Sequence, residues 1–516
     1  MYDLIIRNGQ IIDGTGSLSY EADIAIKSGK IIKISKNISD ESKDVIDAKG
    51  LTVTPGFIDS HSHSDNAILD FPDMVEKIEQ GITTSIGGQC GGSVAPSYIK
   101  KEYDKYIDGV GSLSDTVKTF GSFASSAKNI ALGSNNACFI GHRNIRKCVM
   151  DMSQKKPTDY ELEKMKELLK EGMENGAMGL SLGLIYPPSC YADTFELIEL
   201  AKVVKEYNGI VSAHIRNEGD KLIEATEEFI EIIRQSGVRG VLSHHKTCGS
   251  SKNWGKVNKT LKLIDKAICD GLDIYLDVYP YIATHTSASV TFVYDSGRDL
   301  LKRLESSEER KKMHEYNKTK WWGDDYSWVQ VAKCEGYPEY EGKFLPEIAK
   351  IHGKDEYETI LDMIYESKNN CQCCYFTMCE DDIKTVLSHN RAMICTDSGV
   401  SKGRSTFHPR LKGSFPRAIG KYVREEEVVP LIEMIRKMTS LPAFVYELKG
   451  KGILKEGMDA DICIFDFEKI IDRSEFTDCV RRAEGLEFVI LGGEIVVKNA
   501  VYNGKRKGKV ILKGEY

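Results

Sequence analysis

Two histidines spaced i, i+2 are the first residues in this chain whose types and spacing could do chemistry. They stand in Pro55-Gly56-Phe57-Ile58-Asp59-Ser60-His61-Ser62-His63-Ser64-Asp65. Residues two apart on a β-strand point to one face. A strand from Phe57 to His63 would set both imidazoles side by side, as two ligands of one metal ion must be. An HxH pair alone is a weak signal, and it gains weight from partners elsewhere in the chain. Cys90 sits in Gly87-Gly88-Gln89-Cys90-Gly91-Gly92, where glycines allow sharp folding and close backbone approach and so could present one thiolate. Histidines recur in Ala213-His214 and Ser243-His244-His245-Lys246, and an aspartate stands in Thr396-Asp397-Ser398. Imidazole, thiolate and carboxylate are the ligand types that zinc favours.

The elements that must position these residues follow from apolar periodicity. Strands are expected at Phe57 to His63, Ile82 to Gly87, Ala137 to His142, Ala177 to Ile185, Ile210 to Arg216, Val238 to Lys246, Leu272 to Tyr281 and Ala392 to Asp397. Amphipathic helical patterns lie between most of them. Thr158-Asp159-Tyr160-Glu161 is a capping box that opens a helix carrying Leu162, Met165, Leu168 and Leu169 on one stripe. The spans Glu218 to Ser236 and Asn258 to Asp270 read as helices too. Eight such units point to an α/β fold, a (β/α)8 TIM-like barrel, whose chemistry sits at the C-terminal ends of the strands. His61, His63, His142, His214, His244 and His245 all fall on those ends, six of the chain's eleven histidines. Cys90, Tyr186, Tyr279 and Asp397 fall there as well. His142 reads as structural, and His245, alternating away from His244, faces the outer layer.

Both termini read as short strands between turns, so one small β-sandwich domain is expected to form from residues 1–54 and 448–516. The run Lys509-Val510-Ile511-Leu512 is counted in it. The barrel would occupy 55–447. A segment at about 290–350, before the last barrel strand, is too long for a loop. It carries Arg298, Lys302, Arg303, Arg310, Lys311 and Lys312, then Trp321-Trp322, and reads as an inserted subdomain or lid. The basic residues read as a solvated helix face. Cys371, Cys373 and Cys374 lack a second spaced pair and read as strand and core residues.

Composition excludes several classes. A net charge of −7 with both signs spread along the chain gives no footprint for nucleic acid. No apolar run approaches the roughly 20 residues that span a bilayer. Fourteen cysteines scattered in a chain whose Met1-Tyr2-Asp3 runs straight into a strand pattern lead to an expectation of reduced thiols in a cytoplasm. Oligomeric state is not readable.

The chain resembles the D-aminoacylase (N-acyl-D-amino-acid deacylase) family of the amidohydrolase superfamily. The segments that carry the resemblance are Pro55 to His63, Gly88-Gln89-Cys90-Gly91, Gly183-Leu184-Ile185-Tyr186, Ala213-His214-Ile215-Arg216, Ser243-His244-His245-Lys246, Asp277-Val278-Tyr279-Pro280-Tyr281, Thr396-Asp397-Ser398 and His408-Pro409-Arg410, in that order over nearly the whole chain. The resemblance implies a tight zinc on Cys90, His214 and His244. It also implies a second, weaker metal position on His61, His63 and Asp397. Many superfamily relatives bridge two metals with a carboxylated lysine. No lysine stands at a corresponding strand end here, and Cys90 takes that role, which separates the chain from hydantoinase-like and dihydroorotase-like relatives.

The implied activity is zinc-dependent hydrolysis of N-acyl-D-amino acids, a small-molecule reaction, and its D preference rests on the resemblance alone. Zinc would polarise the amide carbonyl. Asp397 would act as general base toward water and return the proton to the leaving amine. Tyr186 would donate to the oxyanion, and Arg410, Lys246 and Tyr279 would hold the substrate carboxylate. Two other readings share these features: an amidohydrolase for another linear or cyclic amide, hydantoin-like or dipeptide-like, and a non-catalytic scaffold. The intact ligand set argues against the scaffold.

Overall fold

The structure is a computed structural model that describes residues 1–97, 118–297, 299–400 and 408–515; Arg298 lies outside the described residues. Its architecture is α/β. Parallel strands Ala392–Ile394, Ile274–Val278, Arg239–Leu242, Ile210–His214, Gly179–Gly183 and Ile140–Gly141 form one sheet in that order. A second sheet runs Val510–Ile511, Asn135–Cys138, Ile82–Gly87 and Phe57–Asp59, also parallel. A parallel bridge between Ser62 and Ser398 links the first strand of one sheet to the tail of the last strand of the other.

Helices form where the pattern placed them. Thr158 Oγ1 accepts from Glu161 N at 3.3 Å, and Glu161 Oε2 accepts from Thr158 N at 2.8 Å, so two backbone donors at the start of helix Asp159–Glu174 are satisfied reciprocally. Leu162, Met165, Leu169 and Met173 are buried from this helix. Each such side chain contributes roughly 1.5–3 kcal/mol of transfer free energy. The helix expected from Glu218 begins instead at Leu222. Asn217 Oδ1 accepts from Gly219 N and Lys221 N, both at 2.9 Å, and holds this stretch as a turn.

Other expectations are corrected as well. The first strand ends at Asp59, so His61 and His63 stand beyond it, held by Ser62 N to Ile86 O at 2.9 Å and His63 N to Ser398 O at 3.1 Å. The third strand breaks at Phe139, and His142 opens helix His142–Met150. The segment Val510–Ile511 leaves the terminal β unit and pairs in parallel with Asn136 and Ala137.

The remaining terminal strands share one nine-stranded sheet, in which Ile462–Phe465 pairs antiparallel with Thr52–Pro55 and so joins the two ends of the chain. The inserted unit is larger than 290–350. In its three-stranded sheet, Thr284–Ser287 and Cys371–Tyr375 come from either side of that span and Val329–Cys334 from within it. It has its own core, with Phe292, Tyr326, Trp328, Tyr357 and Tyr375 among the buried residues. Cys371 and Cys373 point into that core. Among the described residues no helix is long and apolar enough to cross a membrane.

Candidate metal centre and active site

Cys90 is the meeting point. Its Sγ lies 3.3 Å from His61 Nε2, 3.3 Å from His244 Nε2 and 3.5 Å from His214 Nδ1. Asp397 Oδ1 lies 3.5 Å from His61 Nε2 and 3.1 Å from His63 Nε2. His61, Cys90, His244 and Asp397 are all buried, and their donor atoms lie within 4.8 Å of one another. The thiol therefore stands between the two expected ligand sets, close to His61 of one and to His214 and His244 of the other.

The chain is bent to achieve this. Cys90, His244 and Asp397 each have positive φ, at 52°, 34° and 46°. For residues with a Cβ this costs on the order of 1–3 kcal/mol each and persists only where the surroundings impose it. The approach of the Cys90 loop to the strand Gly179–Gly183 requires glycine, because a Cβ at Gly183 would sit 2.0 Å from the Cys90 carbonyl oxygen.

Buried carboxylates orient these turns. Asp277 Oδ1 accepts from His244 N at 2.6 Å and lies 3.6 Å from His61 Nδ1. Asp59 Oδ1 accepts from Thr396 N at 2.8 Å, and Lys77 Nζ bridges Asp59 Oδ2 at 3.0 Å to Ser398 O at 2.7 Å. Asp397 N donates to His61 O at 2.9 Å, so the first and last strand ends are locked together.

The electrostatics suit a cation. Burial opposes ionisation of Cys90, yet the charges of His61 and His244 and the hydrogen bonds from His214 and His244 outweigh it and hold the thiol well below its usual range. Burial likewise opposes ionisation of Asp397, and the Arg410 and His244 charges keep its carboxyl well below the usual carboxylate range. His61 Nδ1, His214 Nε2 and Asp277 Oδ2 are buried with no hydrogen-bond partner among the described residues. A thiolate among imidazoles, with a carboxylate beside them, fits zinc.

A second group of donors, His214, Glu218 and His244, has the spacing of a metal site. An ammonium already fills it: Lys246 Nζ lies 2.5 Å from Glu218 Oε1 and 2.8 Å from His244 Nδ1. Burial opposes the charge on Lys246, and Glu218 more than restores it. Glu218 also stands 3.1 Å from His244 Nδ1, so it orients that ring from behind. Sequence reasoning passed over Glu218 and Asp277 as site residues. The available signals were the i, i+4 spacing from His214 and the end of the seventh strand.

Arg410, Tyr279 and Tyr186 pack close to this centre. Arg410 Nη1 donates to Asp397 Oδ2 at 2.6 Å, and its guanidinium lies 4.6 Å from the Tyr279 ring centroid. The Tyr279 hydroxyl meets Met378 Sδ at 3.5 Å. The Tyr186 ring centroid is 5.3 Å from that of His214, and its hydroxyl lies 3.4 Å from Thr286 Oγ1 of the inserted sheet. His142 turns away from the centre, to Ser189 and Glu196. His245 Nε2 bonds Thr260 Oγ1 at 2.8 Å on the outer helix.

Comparison with known proteins bears on this geometry. The amidohydrolase family model matches residues 44–318 and 352–497. This chain belongs to the amidohydrolase family. Among curated proteins it is 33% identical over 516 residues to a D-aminoacylase of Alcaligenes xylosoxydans xylosoxydans, covering 99% of this chain and 98% of that one. It is 32% identical to an N-acyl-D-glutamate deacylase of the same organism, covering 96% of this chain and 94% of the relative. Among solved structures, this amidohydrolase superposes with a TM-score of 0.85 and 31% identity on N-acyl-D-glutamate deacylase from Bordetella bronchiseptica, with 99% of each chain covered. That protein was crystallised with zinc and a phosphonate inhibitor that mimics the tetrahedral intermediate of its reaction.

Proposed function

We propose that this amidohydrolase hydrolyses N-acyl-D-amino acids to a carboxylate and a D-amino acid, using zinc on Cys90, His214 and His244, with a second, weaker position at His61, His63 and Asp397. The observation that carries the reading is one buried thiol sulfur within 3.3–3.5 Å of three imidazole nitrogens, with Asp397 beside them. In this reading the two parallel sheets are one (β/α)8 barrel that meets at the Ser62–Ser398 bridge. A single apolar cluster drawing Ile58, Ile86, Ala137, Met178, Ile210, Val241, Tyr275 and Met393 from all eight strands or their flanks supports it. Residues 55–447 then form the catalytic unit, and residues 1–54 with most of 448–516 form the β-sandwich. The absence of a membrane-spanning helix among the described residues is consistent with a cytoplasmic enzyme.

Zinc held at this centre supplies Lewis acidity toward the scissile carbonyl. The residues do the rest. Asp397 takes a proton from the attacking water as the new C–O bond forms. It returns the proton to the amide nitrogen as the C–N bond breaks, so the amine leaves neutral. The hydroxyl of Tyr186 swings from Thr286 to the developing oxyanion. Arg410 provides a planar fork and Lys246 a point charge for the substrate α-carboxylate. Burial pushes the Tyr279 hydroxyl up, so it stays a neutral donor beside them. The D preference comes from the relatives.

The test is a panel of N-acetyl-D- and N-acetyl-L-amino acids, hydantoins and dipeptides offered to zinc-loaded protein, with amine release as the readout. Turnover confined to the D-series is expected. Turnover of hydantoins or L-compounds alone overturns the assignment.

A further inference from the structure

We propose that Arg143 reads a carboxylate at the far end of the acyl group, so that the substrates are ω-carboxyacyl-D-amino acids such as N-succinyl compounds. This rests on the N-acyl-D-amino-acid reading above. Arg143 stands in the first turn of helix His142–Met150. Its backbone N donates to Gly91 O at 2.9 Å, which ties it to the loop that carries Cys90. The guanidinium carbon lies 5.8 Å from the Tyr186 ring centroid. The residue beneath it is Gly92, and a Cβ there would sit 2.6 Å from Arg143 Nη2, so the glycine makes room for the charge.

The guanidinium is half-buried, and no hydrogen bond or ion pair engages it among the described residues. One helical turn on, Arg146 is fully matched in charge by Glu196. A half-buried cation facing this tyrosine, with no counter-ion among the described residues, is suited to bind an anion.

Direction decides which anion. Arg410, Lys246 and Tyr279 come from the ends of the sixth to eighth strands and hold the α-carboxylate. Tyr186, after the fourth strand, takes the carbonyl oxygen. A substrate laid between them points its acyl chain toward the second and third strand ends, where Gly91, Gly92 and Arg143 lie. A second carboxylate two methylenes beyond the carbonyl would meet that guanidinium.

The experiment compares N-succinyl-D-leucine with N-pentanoyl-D-leucine, which has similar length and no terminal charge. N-acetyl-D-glutamate against N-acetyl-D-glutamine is the second pair. Wild-type protein is expected to prefer succinyl over pentanoyl by about 10- to 100-fold in kcat/KM, the range of one charge-assisted hydrogen bond. Arg143→Gln is expected to bring that ratio close to one and to leave the glutamate:glutamine ratio in place. No preference in wild type, or a preference that Arg143→Gln leaves intact, overturns the proposal. A glutamate:glutamine ratio that collapses instead moves Arg143 to the amino-acid side chain and overturns the acyl assignment. If no N-acyl-D-amino acid is turned over, the activity reading fails. Calorimetric titration with the same two acylated D-leucines then reads the Arg143-dependent ratio as binding, and equal binding of the two overturns this proposal separately.

Discussion

His61 and His142 are both fully buried histidines beside carboxylates, each just beyond a strand of one of the two parallel sheets, yet they are built in opposite ways. His142 donates or accepts at both nitrogens, to Ser189 Oγ and Glu196 Oε1, each at 2.8 Å. The second oxygen of Glu196 is taken by Arg146, which also reaches Lys155 O at 2.7 Å. None of these residues has a positive φ. Both nitrogens of His142 are satisfied and the cluster balances its own charge, with only Arg146 Nε left without a hydrogen-bond partner among the described residues of the cluster. His61 instead leaves Nδ1 without a hydrogen bond and turns Nε2 toward a thiol and Asp397. Around it Cys90, His244 and Asp397 all sit on strained backbone. One cluster consumes its own charge, whereas the other holds donors converging on a shared point. Burial and residue type are the same in both, so satisfaction and strain are what separate a structural histidine from a chemical one.

Four substitutions sharpen or break that contrast, ordered by the size of their effect on catalysis or metal binding. Asp397→Asn is expected to lower kcat by about 10²–10⁴-fold, the range for a general base; wild-type turnover in this variant removes Asp397 from the mechanism. Tyr186→Phe should lower kcat by about 10²–10³-fold with a smaller change in KM, as loss of one oxyanion donor does. Glu218→Gln should weaken zinc binding by about 10- to 100-fold in a chelator competition, because it releases His244 from behind. Glu196→Gln should leave zinc content and kcat near wild type and cost stability of about 3–5 kcal/mol in a denaturant titration, because Arg146 loses its buried partner. A folded Glu196→Gln protein without activity erases the distinction between the two clusters.

The sequence made the open cluster readable because it is built of the residue types that zinc favours, standing just beyond the ends of parallel strands. Cys90 between glycines was visible for the same reason; His244 and His245 do turn to opposite sides, but beyond the strand, which ends at Leu242. Glu218 was not. It acts through Lys246 and His244, far along the chain, and an acidic residue at a helix approach looks like any solvated one. The shared position of Cys90 was also hidden, because a motif gives the identity of a ligand and not its distance to every other ligand. The inserted unit was read too short, since Cys371–Tyr375 looks like any buried strand until its pairing with Thr284–Ser287 is seen. Val510–Ile511 has the texture of the terminal sheet, and only its partner Asn135–Cys138 places it elsewhere.

The central claim, that a thiolate anchors the metal, is tested most directly by zinc K-edge X-ray absorption on the zinc-loaded protein and on Cys90→Ala. One sulfur at about 2.3 Å in the wild type, with that scatterer absent and zinc lost in the variant, is the expected result. A wild-type spectrum with only nitrogen and oxygen ligands, or a variant that keeps its zinc in the same environment, would contradict the account.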